Sequence, residues 1–117
     1  MVLLTRPLAQ SNNLQSLLDK ASLEYVLFPA IEINKVSVKI PKQLYDVVVF
    51  VSVNAVIYSK EHLNFAIKES TQIFAVGSTT AKCISDNGLR VDGLPENEAS
   101  SEKLLAMPEL SLNNKTI

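Results

Sequence analysis

Residues 46–56 read DVVVFVSVNAV, and this stretch predicts a buried strand that runs directly into a helix. The β-branched and aromatic residues at 47–51 are typical of a strand covered on both faces. Ser52 is a favoured helix N-cap, and Ala55 and Val56 are the first apolar positions of the helix. A strand that passes through a polar residue into a helix is the repeating unit of a parallel α/β sheet.

Similar units precede and follow this stretch. On the N-terminal side we predict a strand over 2–5, stopped by Pro7, then a helix over 8–21 and a strand over 25–28. The alternating residues 31–33 and 36–40 indicate an extended connection. The helix after Ser52 continues to about residue 67, with a break expected near Ser59.

On the C-terminal side, residues 73–76 predict a strand that ends in the turn 77–80, GSTT. A helix over 79–86 follows and stops at 87–88, where Asn-Gly is a good helix terminator. The remaining predictions are a short strand at 89–91, a loop marked by Gly93, Pro95 and Asn97, a helix over 100–107, and a strand that begins at 115–117.

This alternation predicts an α/β fold with a parallel, doubly wound, flavodoxin-like sheet.

The composition limits the classes of function that the chain can have. The chain has 117 residues, of which 47% are hydrophobic and 20% charged, so it can bury a core. A net charge of −1 argues against a broad nucleic-acid surface. The lone Cys83, together with the lack of a signal-peptide pattern or membrane-length apolar run, predicts a cytoplasmic protein without membrane partners. One histidine, His62, and one cysteine provide no cluster of metal ligands, so we expect no metal.

Ligands of open α/β sheets bind outside the carboxyl ends of the strands. Three segments fall at such ends, and we take these of their residues as candidate binding residues: Thr5 and Arg6; Ser52 and Asn54; Gly77, Ser78 and Thr79. Gly77 is expected to let a ligand come close to the main chain. Where a helix begins, free main-chain N–H groups and the positive end of the dipole attract carboxylates or phosphates. Each Ser or Thr can instead serve only as a helix cap. Arg6 can clamp a carboxylate or pair with an acid such as Glu24.

The order of these segments resembles that of uroporphyrinogen-III synthases. The similar pieces run along nearly the whole chain: TRP at 5–7, FPAIEI at 28–33, FVSVNAV at 50–56, AVGSTTA at 75–81, NGL at 87–89 and SEKLL at 101–105. The resemblance implies a fold of two α/β lobes joined by two connectors, and it implies two domains in this chain. Residues 1–33 would be an incomplete strand–helix–strand of the first lobe with its connector, and residues 34–117 would be an α/β domain of the second lobe. It also implies a hydro-lyase of tetrapyrrole and heme biosynthesis, which closes the linear tetrapyrrole hydroxymethylbilane into uroporphyrinogen III. One ring is inverted, water is lost, and no cofactor is used.

The sequence departs from the family pattern at Ile117, which falls inside a strand of the second lobe. We therefore expect this chain to be an inactive fragment that lacks the family's tyrosine near the leaving hydroxyl. The catalytic residues stay unknown, and Tyr25, Tyr45 and Tyr58 are expected at edges or surfaces. Residues 1–33 would leave open sheet edges, which favours self-association into a homo-oligomer.

Two further classes of function remain open. One is a non-catalytic flavodoxin-like domain that binds a small molecule or a partner. The other, a receiver-like signalling domain, would need acidic residues at the ends of strands. Asp46 stands at the beginning of its strand instead.

Overall fold

The computed structural model describes residues 1–96 and 99–117. It divides into two compact units, Met1–Ser37 and Val38–Ile117. Asn97, which we assigned to a loop, lies outside the described residues.

The first unit is a strand–helix–strand. Its elements are β1 (Val2–Leu4), a 3-10 turn (Leu8–Gln10), α1 (Asn12–Lys20) and β2 (Tyr25–Leu27). The two strands are parallel, with Leu3 opposite Val26. The predicted helix over 8–21 is thus split in two. The Pro7 carbonyl accepts the Gln10 N–H at 2.9 Å, and this bond closes a 3-10 turn before α1 begins.

The second unit contains β3 (Tyr45–Phe50), α2 (Val53–Ala66), β4 (Ile67–Ala75), α3 (Ser78–Asp86) and α4 (Ser101–Leu105). Strands β3 and β4 are parallel, with Phe50 opposite Ala75. Short extended pieces flank this pair. The Asp92 N–H donates to the Ile73 carbonyl at 2.7 Å beside β4, and the Thr116 carbonyl accepts the Asp46 N–H at 2.9 Å beside β3.

The sheet of the second unit is covered on both faces. On one face Phe50, Ile73 and Ala75 pack in a buried cluster with Val56 of α2 and Ile84 of α3. On the other face Val47 and Phe74 form a cluster with Leu104 of α4 and with Leu110. Apolar layers on both faces explain the uninterrupted apolar run at 47–50, whereas Val51, beyond the end of β3, is 64% exposed. The predicted parallel α/β fold class is confirmed.

Several predicted boundaries are wrong. Helix α2 runs without a break through Ser59, whose hydroxyl donates to the Val56 carbonyl at 3.2 Å within the helix. Strand β4 begins at Ile67 rather than at residue 73. In this first part of β4 the buried Thr71 hydroxyl donates to the Tyr45 carbonyl at 2.7 Å and accepts the Lys68 N–H at 2.9 Å. These bonds keep β4 joined to β3 across a shift in the register of the two strands.

The two short C-terminal strands are also absent from the described chain. Residues 89–91 and 115–117 form no regular strand. Pairing with β4 occurs slightly later, as a bridge between Phe74 and Gly93. The alternating residues 31–33 and 36–40 have no regular secondary structure.

Asp46 joins three segments at the amino end of β3. One carboxylate oxygen, Oδ1, lies 2.8 Å from Lys68 Nζ, and the other, Oδ2, accepts the Thr116 N–H at 3.1 Å. The hydrogen bond from Lys68, followed by that from Thr116, lowers the pKa of Asp46 below its ordinary value of 3.8. Asp46 therefore has a structural role at the sheet end opposite the candidate site.

We expect Asp46→Asn to make the stability of the fold depend less steeply on pH in the acid range. The folded pKa is lower than the unfolded one, so the carboxylate contributes stability above the unfolded pKa. That contribution disappears as the pH falls through the folded pKa. The thermal midpoint, followed by circular dichroism from pH 7 to acidic pH, should fall less in the variant than in the wild type. Asp86→Asn is the control, because its ion pair with Lys82 lies on the surface of α3. Parallel curves for wild type and Asp46→Asn would contradict this role.

Candidate functional site

The carboxyl ends of β3 and β4 lie side by side in the second unit. The Val76 N–H donates to the Phe50 carbonyl at 3.1 Å, one residue beyond the end of β4. Helices α2 and α3 begin at Val53 and Ser78, so both present their N-termini at this edge. The fold thus brings Ser52 and Asn54 to the same end of the sheet as Gly77, Ser78 and Thr79.

The N-terminus of α2 is capped by its own chain. Ser52 has an extended backbone, and its Oγ accepts the Ala55 N–H at 3.1 Å. This is the helix-cap role that we left open for Ser52. Ser52 and Asn54 are both half-buried. Their contact with a ligand stays a prediction.

The N-terminus of α3 has no such cap. Gly77 occupies the N-cap position and has no side chain, and no described side chain accepts a hydrogen bond there. Ser78 and Thr79 are exposed, whereas Thr80 is buried. The main-chain N–H groups of the first turn, together with two exposed hydroxyls, can therefore bind a carboxylate.

Gly77 has a structural reason to lack a side chain. A Cβ at this position would lie 2.8 Å from the Cβ of Ala99, which is closer than carbon atoms can approach. Ala99 thus fills the side of Gly77 where we expected room for a ligand. The main-chain N–H groups and hydroxyls that can bind a ligand belong to the following residues of α3. A contact between Gly77 itself and a ligand stays a prediction.

Thr5 and Arg6 follow β1 in the first unit. The Thr5 carbonyl accepts the Ala30 N–H at 3.0 Å, and the side chains of Thr5 and Arg6 are exposed. Arg6 forms no ion pair with Glu24 or with any other acid in the described chain, so its guanidinium is available to an anion. We had left open whether Arg6 pairs with an acid or clamps a carboxylate, and the clamp stays a prediction.

Sequence reasoning missed Ser11, which is buried beneath this turn. The available signal was its place just before the apolar positions of α1, where a serine is normally read as an N-cap. The structure shows a different use. The Ser11 hydroxyl caps nothing in α1 and donates backwards to the Pro7 carbonyl at 3.1 Å.

Other chemically reactive side chains lie apart from the strand ends. His62 packs edge-on against Phe65, with ring centroids 6.2 Å apart. Cys83 is a free thiol that packs against the core. Among residues 1–96 and 99–117, no three His, Cys, Asp or Glu side chains are grouped to hold a metal ion.

No helix within the described ranges combines the length and apolarity that a membrane crossing requires.

The fold and the strand ends define a parallel α/β protein whose helix N-termini can accept an anionic ligand. The chain matches the family model for uroporphyrinogen-III synthase HemD over residues 12–116, and it belongs to that family. The predicted resemblance is confirmed, and the family function lies in tetrapyrrole biosynthesis. The match includes Ser52, Asn54, Gly77, Ser78 and Thr79, whereas Thr5 and Arg6 precede it. Comparison with curated proteins gives no significant match.

Proposed function

We propose that the chain supplies tetrapyrrole-binding strand ends of a uroporphyrinogen-III synthase. In this reaction hydroxymethylbilane is closed to uroporphyrinogen III with inversion of one ring and loss of water, so the enzyme is a lyase of the heme pathway. The observation that carries the proposal is the α3 N-terminus, which has no side-chain cap, beside the N-terminus of α2. The substrate carries acetate and propionate groups on its rings, and main-chain N–H donors at helix N-termini suit carboxylates.

We also propose that these 117 residues bind the tetrapyrrole without cyclising it. Loss of water requires a proton for the leaving hydroxyl. The candidate residues provide hydroxyl, amide and guanidinium groups, and none of them is a His, Asp, Glu, Lys, Tyr or Cys side chain, the types that usually act as general acids. Without a positioned acid, we expect the bound substrate to react as it does free in solution. The single free cysteine supports a reducing, cytoplasmic location.

The first test is a cyclisation assay that measures the ratio of type III to type I uroporphyrinogen. Free hydroxymethylbilane closes unaided to type I, so the blank is built into the assay. We expect type I product alone. Type III product above the blank would show that the chain builds a working catalytic site and would overturn the proposed inactivity.

The second test measures binding of uroporphyrin III, a stable carboxylated tetrapyrrole, by fluorescence titration. Ser78→Asp places a negative charge at the α3 N-terminus, where it favours the helix and repels carboxylates. We expect an affinity loss of about threefold to tenfold without a lower thermal midpoint. Ser85→Asp adds the same charge at the far end of α3 and should bind like the wild type. Equal affinity for both variants would place the binding elsewhere.

For the first unit we propose self-association with a second copy. Leu3 and Val26 lie opposite each other on the β1–β2 pair, and they are 59% and 46% exposed. Phe28 follows on the same face of the extended chain and is 60% exposed. A two-stranded sheet with an uncovered apolar face and open edges is a template for pairing. Sedimentation over a concentration series should show association, and a monomer at every concentration would refute it.

A further inference from the structure

Ser11 is 1% exposed, although most of the side chains around it in the first unit are in solvent. It occupies the N-cap position of α1, yet its hydroxyl accepts no hydrogen bond from that helix. Instead Ser11 Oγ lies 3.1 Å from the Pro7 carbonyl oxygen and 3.5 Å from that of Arg6. A buried hydroxyl is thus directed at the main chain of the turn that follows β1.

The main chain of this turn is held from two sides. On one side the Pro7 carbonyl also accepts the Gln10 N–H at 2.9 Å, in addition to the Ser11 hydroxyl. On the other side the Ala30 N–H donates to the Thr5 carbonyl at 3.0 Å. The Arg6 side chain between these anchors remains exposed. A fixed main chain reduces the conformational entropy that is lost when a side chain is immobilised on a ligand.

We infer that Ser11 is a positioning residue that holds the Arg6 turn in the geometry required to clamp a carboxylate of the tetrapyrrole. The inference rests on the proposed function, because it takes the tetrapyrrole as the ligand. Ser11 has no contact with the ligand and acts through Arg6. A merely structural role would affect folding alone and would leave the affinity of the folded protein unchanged.

The chain offers a matched control for Ser11. Like Ser11, Ser16 donates its hydroxyl to the carbonyl four residues earlier, here that of Asn12 at 3.0 Å. The Ser16 side chain, however, lies on the exposed side of α1. We expect Ser11→Ala to weaken uroporphyrin III binding by about threefold to tenfold, which corresponds to one hydrogen bond. Ser16→Ala should leave the affinity unchanged.

The readout specific to positioning is a double-mutant cycle with Arg6→Ala. In the Arg6→Ala background, Ser11→Ala should cause no further loss of affinity, because the group that it positions is gone. Unchanged affinity in Ser11→Ala, or the same additional loss in both backgrounds, would overturn the inference. If Ser11→Ala does not fold, Ser11→Cys keeps the side-chain size with a weaker donor and takes its place in the cycle.

The two possible failures are distinguishable. A wild-type chain that does not bind uroporphyrin III overturns the proposed function and this inference with it. A wild-type chain that binds, beside a Ser11→Ala variant that binds equally well, overturns the inference alone.

Discussion

Replacing Phe74 with alanine should lower the free energy of unfolding of the second unit by about 3–5 kcal/mol. The Phe74 ring is fully buried and packs with Val47, Leu104 and Leu110 on one face of the sheet. Its removal forfeits apolar burial and leaves a cavity between β4 and α4. Since small domains are stable by only about 5–15 kcal/mol, this loss brings the unit close to unfolding at room temperature.

Urea unfolding followed by circular dichroism measures this effect. Phe65→Ala is the matched control, because the Phe65 ring on α2 is 48% exposed. We expect that variant to lose much less stability than Phe74→Ala. Similar losses for the two substitutions would mean that the cluster around Phe74 does not hold the second unit together.

Gly93→Ala should cost about 1–3 kcal/mol through overpacking. An added Cβ would lie 2.8 Å from Phe74 Cε1 and 2.9 Å from Met107 Cε. The Phe74 ring cannot move away easily, because it is enclosed by the core. The Gly93 backbone also bonds to β4 through the Ala75 N–H at 3.0 Å, so a shift at Gly93 would strain the edge of the sheet.

The comparison for Gly93→Ala is Gly88→Ala. Gly88 has open space around it but a φ of +78°, so its cost of about 1–2 kcal/mol arises from backbone conformation. Phe74→Leu shortens the neighbouring side chain and should reduce the cost of Gly93→Ala without changing that of Gly88→Ala. If the Phe74→Leu background changes neither cost, steric contact with the ring is not the cause.

Much of the fold was predictable because its signals are local. The run at 47–51 is β-branched and aromatic, and its residues 47–50 lie in β3, which is followed by α2. The helix predicted over 8–21 contains α1, and the Asn-Gly pair at 87–88 predicted the end of α3. The errors occur where distant contacts override local preference. Thr71 extends β4 backwards by bonding to Tyr45, which lies 26 residues earlier in the chain.

The candidate site was likewise predictable only in part from local sequence. A pattern of strand, polar turn and helix places Ser52, Asn54, Ser78 and Thr79 at strand ends, and the register of β3 and β4 brings these ends together. The pattern cannot tell that Ser52 caps its helix while the N-cap of α3 bears no side chain.

Local sequence therefore specifies the order of the elements and the polar residues at the strand ends, because both follow from residues close together in the chain. Three features depend on the folded chain: the close approach of Ala99 to Gly77, the hydrogen bond from Thr116 to Asp46, and the burial of Ser11 beneath the Arg6 turn. The first two join residues far apart in sequence. The third depends on how α1 packs beside the turn. Such contacts form only when hydrophobic burial brings the elements together.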